Sequence, residues 1–220
     1  MIFNSFNFLI IFPFLFLLYY LIPERKQSLR NIYLLLVSYL LYMNFKPVYA
    51  IILFGITAIT FYTAKIIEKN KTRRNKYILY LGVLVTLLPL LIFKYYNFIN
   101  DSCFELLNTL GLRFKLPGLN WAIPVGIYFF TFQALSYLWD VYYGKIKTEH
   151  NFLDYALYVS FFPSIVSGPI NKAGLVLPQI KKLRPYFDYS KAVGGLKMLL
   201  WGMFMKVVIA DRVALYVVVP

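Results

Sequence analysis

Few side chains in this chain are placed to do chemistry, and most of them sit in or beside apolar runs. Asp140 lies near the inner end of a long apolar stretch, with Gln133 seven residues earlier and so on nearly the same helical face. An ionisable group at membrane depth is costly and is read first as functional, which gives a polar stripe facing the interior of a helix bundle. The alternative for Asp140 is a place at the cytoplasmic interface, bonded to a loop amide or to Lys145. Lys94, flanked by Tyr95 and Tyr96, reads as an interfacial anchor. His150, the single histidine, falls in a hydrophilic loop just before Asn151, which can cap a helix carrying Asp154 in its first turn. It reads as a solvated loop residue. No Walker loop, dinucleotide-binding glycine pattern, HExxH or GxSxG occurs, and the single cysteine, Cys103, excludes an internal disulfide and a cysteine-based metal site.

The elements that must position these residues are membrane helices. Hydrophobic residues make up 60% of the 220 and charged residues only 15%, against roughly 45–50% and about 25% in an average soluble domain. A soluble chain of this length could not bury so much apolar surface, so the expectation is one membrane domain spanning residues 1–220. The net charge of +14 sits in short loops rather than in a continuous patch, which argues against nucleic acid and for a topology signal.

Apolar runs at Ile2 to Ile22, Asn31 to Met43, Val48 to Ala64, Tyr77 to Phe93 and Trp121 to Tyr143 are taken as membrane segments. Arg25, Lys26 and Arg30 follow the first, and Lys65, Lys69, Lys71, Arg73, Arg74 and Lys76 follow the third, which places both loops in the cytoplasm and the N-terminus outside. Phe98 to Leu119 is then external, with Cys103 to Leu112 as a small interfacial helix. Asn151 to Ile170 is apolar enough to cross, but crossing would carry Lys172, Lys181, Lys182 and Arg184 to the outer face, and Pro163, Gly168 and Pro169 interrupt its second half. A re-entrant or broken helix is expected there. Gly194 to Val219 mixes Lys197, Lys206, Asp211 and Arg212 into an apolar helix. The fold expected is all-α, a polytopic transmembrane helical bundle of about five to seven membrane segments. The chain stops at Pro220 directly after an apolar run, which reads as a truncation.

Three stretches resemble the membrane-bound O-acyltransferase family, in its bacterial branch that includes the membrane subunit of alginate O-acetylation and the D-alanyl-transfer protein of teichoic acid. They are Pro124 to Gly144 (PVGIYFFTFQALSYLWDVYYG), Phe152 to Tyr155 continuing through Phe161 to Ile170, and Lys206 to Arg212 (KVVIADR), in the order of that family. Tyr128 and Trp139 depart from the small and aliphatic residues usual at those positions. The resemblance covers the whole chain as the N-terminal portion of the fold. It implies transfer of an acyl group, commonly acetyl, from a cytoplasmic donor such as acetyl-CoA to hydroxyls of an extracellular or cell-wall polysaccharide. No bound cofactor is implied. It also implies a multi-pass place in the bacterial inner membrane and an extracytoplasmic polysaccharide-modifying partner protein. The family's catalytic histidine lies in a later helix; His150 matches no catalytic position, so no catalytic residue is assigned in this chain, which by itself is expected to be inactive. Gln133, Asp140, Pro163, Gly168 and Pro169 are the candidates for lining the channel or the donor entrance. The competing readings are a transporter or flippase fragment, for which no inverted repeat is visible, and a non-catalytic membrane scaffold.

Overall fold

A computed structural model describes residues 6–23, 25–69, 75–109, 117–118, 122–166, 168–182 and 187–214. Trp121, Leu110 to Leu112, Leu119, most of the loop carrying Lys71, Arg73 and Arg74, Arg184 and the Val219 end lie outside them. The described residues form helices α1 (Phe6–Leu21), α2 (Gln27–Met43), α3 (Pro47–Lys69), α4 (Asn75–Thr109), α5 (Ile127–Tyr142), α6 (Phe152–Ser160), α7 (Phe162–Ile165), α8 (Ala173–Lys181) and α9 (Tyr189–Phe204). A π-helical turn, Met205–Ala210, continues α9 into a last short helix, α10 (Asp211–Val213). No strand occurs among them, and the expected all-α membrane architecture holds.

Among the described residues three helical stretches are long and apolar enough to cross a bilayer: Pro47–Lys69, Lys76–Leu106 and Tyr189–Val213. The other expected segments are shorter. The first run is a helix of 16 residues and the second one of 17. The run taken as Trp121 to Tyr143 becomes helical only at Ile127, because Pro124 and a left-handed Gly126 hold the preceding chain in a turn. The separate interfacial helix expected at Cys103 to Leu112 is corrected: Cys103 to Thr109 is the last part of α4, which runs for 35 residues, about 52 Å at 1.5 Å per residue. No glycine or proline stands between Pro89 and Gly111, so nothing stops the helix where its composition turns polar. Lys94 lies on this helix over the rings of Tyr95 and Tyr128.

By its contacts the chain divides into two compact units, Met1–Arg30 with Leu183–Pro220, and Asn31–Lys182. In the first, Arg30 closes the end of α1, its Nε and Nη2 donating to the Ile22 carbonyl at 3.0 and 2.8 Å while the guanidinium lies over the Tyr19 ring. Phe187 meets Phe16 and Tyr20 edge-on. Asp188 caps α9, accepting from the Lys191 N–H and pairing with the Lys191 ammonium, and these bonds hold its carboxyl below the usual carboxylate range.

The second unit holds the core. The buried face of α3 (Tyr49, Leu53, Ile56, Thr57, Thr60, Phe61, Ala64) repeats every three or four residues and packs against α4, α5 and α6. Its threonines return their hydroxyls to the carbonyls four residues back, so they sit in an apolar interior without an unmet donor. Gly82 on α4 lies against Thr63 of α3, where a Cβ would meet the Thr63 methyl at 2.5 Å.

Candidate functional site

The first two motif stretches singled out in the sequence come together in the second unit. The approach to α5 is held by two tyrosines of neighbouring helices: Tyr42 donates to the Val125 carbonyl at 2.9 Å and Tyr49 to the Ala122 carbonyl at 2.6 Å. Gly126 then takes φ +78° and sits so close to α7 that an added Cβ would lie 2.0 Å from the Ile165 oxygen. From there α5 buries Ile127, Phe130, Thr131, Gln133, Ala134, Tyr137, Leu138 and Val141.

Against this face lies α6, every residue of which from Asp154 to Ser160 is buried. The Gln133 amide donates to the Tyr158 carbonyl at 2.6 Å, and the Tyr158 hydroxyl donates to the Asn171 carbonyl at 2.7 Å. Tyr155 donates to Thr60 Oγ1 at 2.8 Å and its ring packs on Tyr137, 4.5 Å between centroids. One glutamine and two tyrosines thus tie α5, α3, α6 and the chain entering α8 into a rigid polar centre within apolar packing.

The expected broken helix is present. α6 ends at Ser160, Phe161 turns the chain out of helical geometry, and α7 restarts with Pro163 in its first turn, where a missing N–H does no harm. The freed backbone groups are met inside the protein: the Phe162 N–H donates to Ser38 Oγ at 3.1 Å, and the Gly168 N–H to the Ser164 carbonyl at 3.0 Å. Gly168 also passes so near Ser164 that a Cβ would sit 2.5 Å from its Cα. Ser38→Ala is expected to leave the Phe162 N–H without that acceptor and to destabilise the solubilised protein by roughly 1–3 kcal/mol. An unchanged thermal unfolding midpoint would show that water replaces the hydroxyl.

Of the candidate residues, Gln133 is buried at the α5–α6 contact, while Pro163, Gly168 and Pro169 shape the break and the chain beyond it. Asp140 lies at the end of α5, 3.8 Å from the Lys145 ammonium, and its carbonyl accepts from the Lys145 N–H. The contact with Lys145 is one of the two partners weighed for it in the sequence. His150 is 77% exposed at its side chain and 3.9 Å from Glu68.

Pattern reading missed the most heavily bonded carboxylates. Glu149, 4% exposed, accepts the backbone N–H groups of His150 and Asn151 and pairs with Lys181 of α8 at 2.7 Å. Its own N–H donates to the Tyr137 hydroxyl. Asp154 accepts from Asn31 Nδ2 at 2.8 Å and Asn151 Nδ2 at 2.9 Å, and Asn151 caps α6 through the Leu153 N–H. The only sequence signal for these pairs was the cap at Asn151. Thr131 and Thr148 have buried hydroxyls that no described atom bonds. Among the described residues no three acidic, histidine or cysteine side chains are grouped to hold a metal.

The arrangement is a closely packed junction with charged residues gathered at the α5–α6 turn and the end of α8.

Compared with known proteins, the chain is similar to a Pseudomonas aeruginosa protein named "Probable alginate O-acetylase AlgI", with 35% identity over 97% of this chain and 41% of that protein. An Azotobacter vinelandii protein of the same name is 33% identical over 97% of this chain and 42% of its own length. The "Peptidoglycan O-acetyltransferase" of Helicobacter pylori is 30% identical over 94% and 44%. The chain therefore spans about two fifths of the length of the curated relatives it matches. No protein-family model and no solved structure matches it.

Proposed function

We propose that this chain, a relative of the alginate O-acetylases and so of the membrane-bound O-acyltransferase family that its motifs resemble, is part of a membrane enzyme that acetylates an extracytoplasmic polysaccharide. The observation that carries the reading is the similarity over nearly the whole chain, including the motif stretches that meet at the α5–α6–α7 junction. The acyl donor is a cytoplasmic thioester such as acetyl-CoA, taken as substrate and not as a bound cofactor. The acceptor is a hydroxyl of an extracellular or cell-wall polymer. Gln133, Asp140, Pro163, Gly168 and Pro169 shape the donor's way in, with the basic loops and Asp140 on the cytoplasmic side and the N-terminus outside the inner membrane. Lipid surrounds the bundle, and a polysaccharide-modifying protein outside the membrane is the expected partner.

A hydroxyl attacks a thioester carbonyl only when a base removes its proton, and His150, exposed in its loop, is not offered as that base. What this chain supplies is position and exclusion of water. The test is to delete the encoding gene in the source cell and measure alkali-released acetate from secreted polysaccharide and from peptidoglycan separately. Loss from one fraction names the acceptor; unchanged acetate in both sinks the reading. In the same assay Gln133→Leu, which removes the donor to the Tyr158 carbonyl, is expected to lower acetylation roughly ten- to a hundredfold through misplacement of α6. An unaltered level would show that the α5–α6 contact does not position the reaction.

A further inference from the structure

The third motif stretch, Lys206 to Arg212, plays no part in the junction. It lies in the continuous helix Tyr189–Val213, none of whose described residues is buried and which is long and apolar enough to cross a bilayer. Two features coincide there. The backbone from Met205 to Ala210 is π-helical, and the N–H of Asp211 donates to the carbonyl of Lys206, five residues back. The side chains of the same two residues are also joined, Lys206 Nζ donating to Asp211 Oδ1 at 3.0 Å.

In an α-helix, residues five apart lie about 140° from facing each other, given about 100° per residue. A π turn brings them toward one side, so the wide turn is what lets the two side chains meet. Single π turns inside α-helices are rare and concentrate at functional positions. Charges on an apolar helix are costly unless paired. The pair thus answers two costs together: it neutralises both charges and it compensates the looser backbone bonding.

We propose that the Lys206–Asp211 ion pair is a latch that holds the π turn, and so fixes which side of the helix Arg212 and Val213 present. An extra residue in one turn rotates everything beyond it by about 100°. The two side chains are positioning residues for acyl transfer, a role that rests on the acyltransferase reading; the latch itself does not.

The test uses the full-length protein in its own membranes, with Cys103 and any other native cysteine replaced by serine so that single nitroxide labels can be walked from Leu199 to Val213. Lys206→Met and Asp211→Asn each break the pair; K206D/D211K restores it with the charges exchanged, and K206R/D211E keeps its sense. In both single variants the oxygen-accessibility phase of the residues after Asp211 is expected to shift by about 100° relative to that before Met205. Polysaccharide acetylation is expected to drop about tenfold or more in them. Both double variants are expected to keep the phase, and the exchanged pair to restore acetylation to within about twofold. An unshifted phase in the single variants overturns the latch. A shifted phase with full acetylation overturns the positioning role. Should one single variant fail to reach the membrane, the other and the exchanged pair decide by the same readings. If wild-type acetylation proves independent of this protein, the acyltransferase reading fails and the phase measurement still decides the latch.

Discussion

Replacing Gly126 with alanine is expected to produce the largest loss of stability of any single methyl group added to this chain. The residue sits at φ +78°, where an L side chain costs about 1–2 kcal/mol. The added Cβ would also lie 2.0 Å from the Ile165 oxygen and 3.0 Å from its carbonyl carbon. Those are backbone atoms at the end of α7, so relief requires moving the broken helix away from α5, at roughly a further 1–3 kcal/mol. The total, roughly 2–5 kcal/mol, is a large part of a typical domain's 5–15 kcal/mol. Gly144 supplies the control: it too has a positive φ, 69°, but nothing lies within 4 Å of its Cβ position. Gly144→Ala should therefore show the backbone strain alone, about 1–2 kcal/mol. The check is the thermal midpoint of each detergent-solubilised variant by fluorescence-detected size exclusion, alongside acetate released from the polysaccharide. Equal midpoints for the two variants would mean that the α5–α7 approach is loose.

Asp154→Ala is expected to be nearly as damaging, for an electrostatic reason. Asp154 is 8% exposed, and its two oxygens each take one amide proton, from Asn31 of α2 and from Asn151 at the cap of α6. Truncation removes both charge-assisted bonds from a buried place and opens a space beside α2, a loss of roughly 2–4 kcal/mol. Asp154→Asn keeps the shape but turns one acceptor into a donor, so it should fall between alanine and wild type. Thermal midpoints of the three proteins measure this order directly. A wild-type midpoint for Asp154→Ala would show that the cap at Asn151 holds α6 without help from its carboxylate.

The two replacements probe parts of the protein that differed in how far the sequence disclosed them. Gly126 stood in a proline-glycine turn ahead of an apolar run, so a sharp entry to α5 was readable; its contact with Ile165 was not, since nothing local connects positions so far apart. The break after Ser160 was readable from Pro163, Gly168 and Pro169 together with the lysines that a full crossing would have carried outward. The full length of α4 was not, because the composition turns polar after Phe93 while the helix runs on with no breaker before Gly111. Asp140 carried two readings in the sequence, and the fold puts it beside Lys145 at the end of α5.

Composition and the order of apolar and basic segments determined by themselves that this is an all-helical membrane protein, and proline and glycine marked where its helices turn or break. These properties depend on what each short stretch does in water or in lipid, and that is local. Only the tertiary structure decided which polar groups satisfy one another: Asn31 with Asp154 across 123 positions, Glu149 with Lys181, Gln133 with the Tyr158 carbonyl. Such partners are selected by where packing leaves a donor facing an acceptor out of reach of water, and helical periodicity carries no record of that choice.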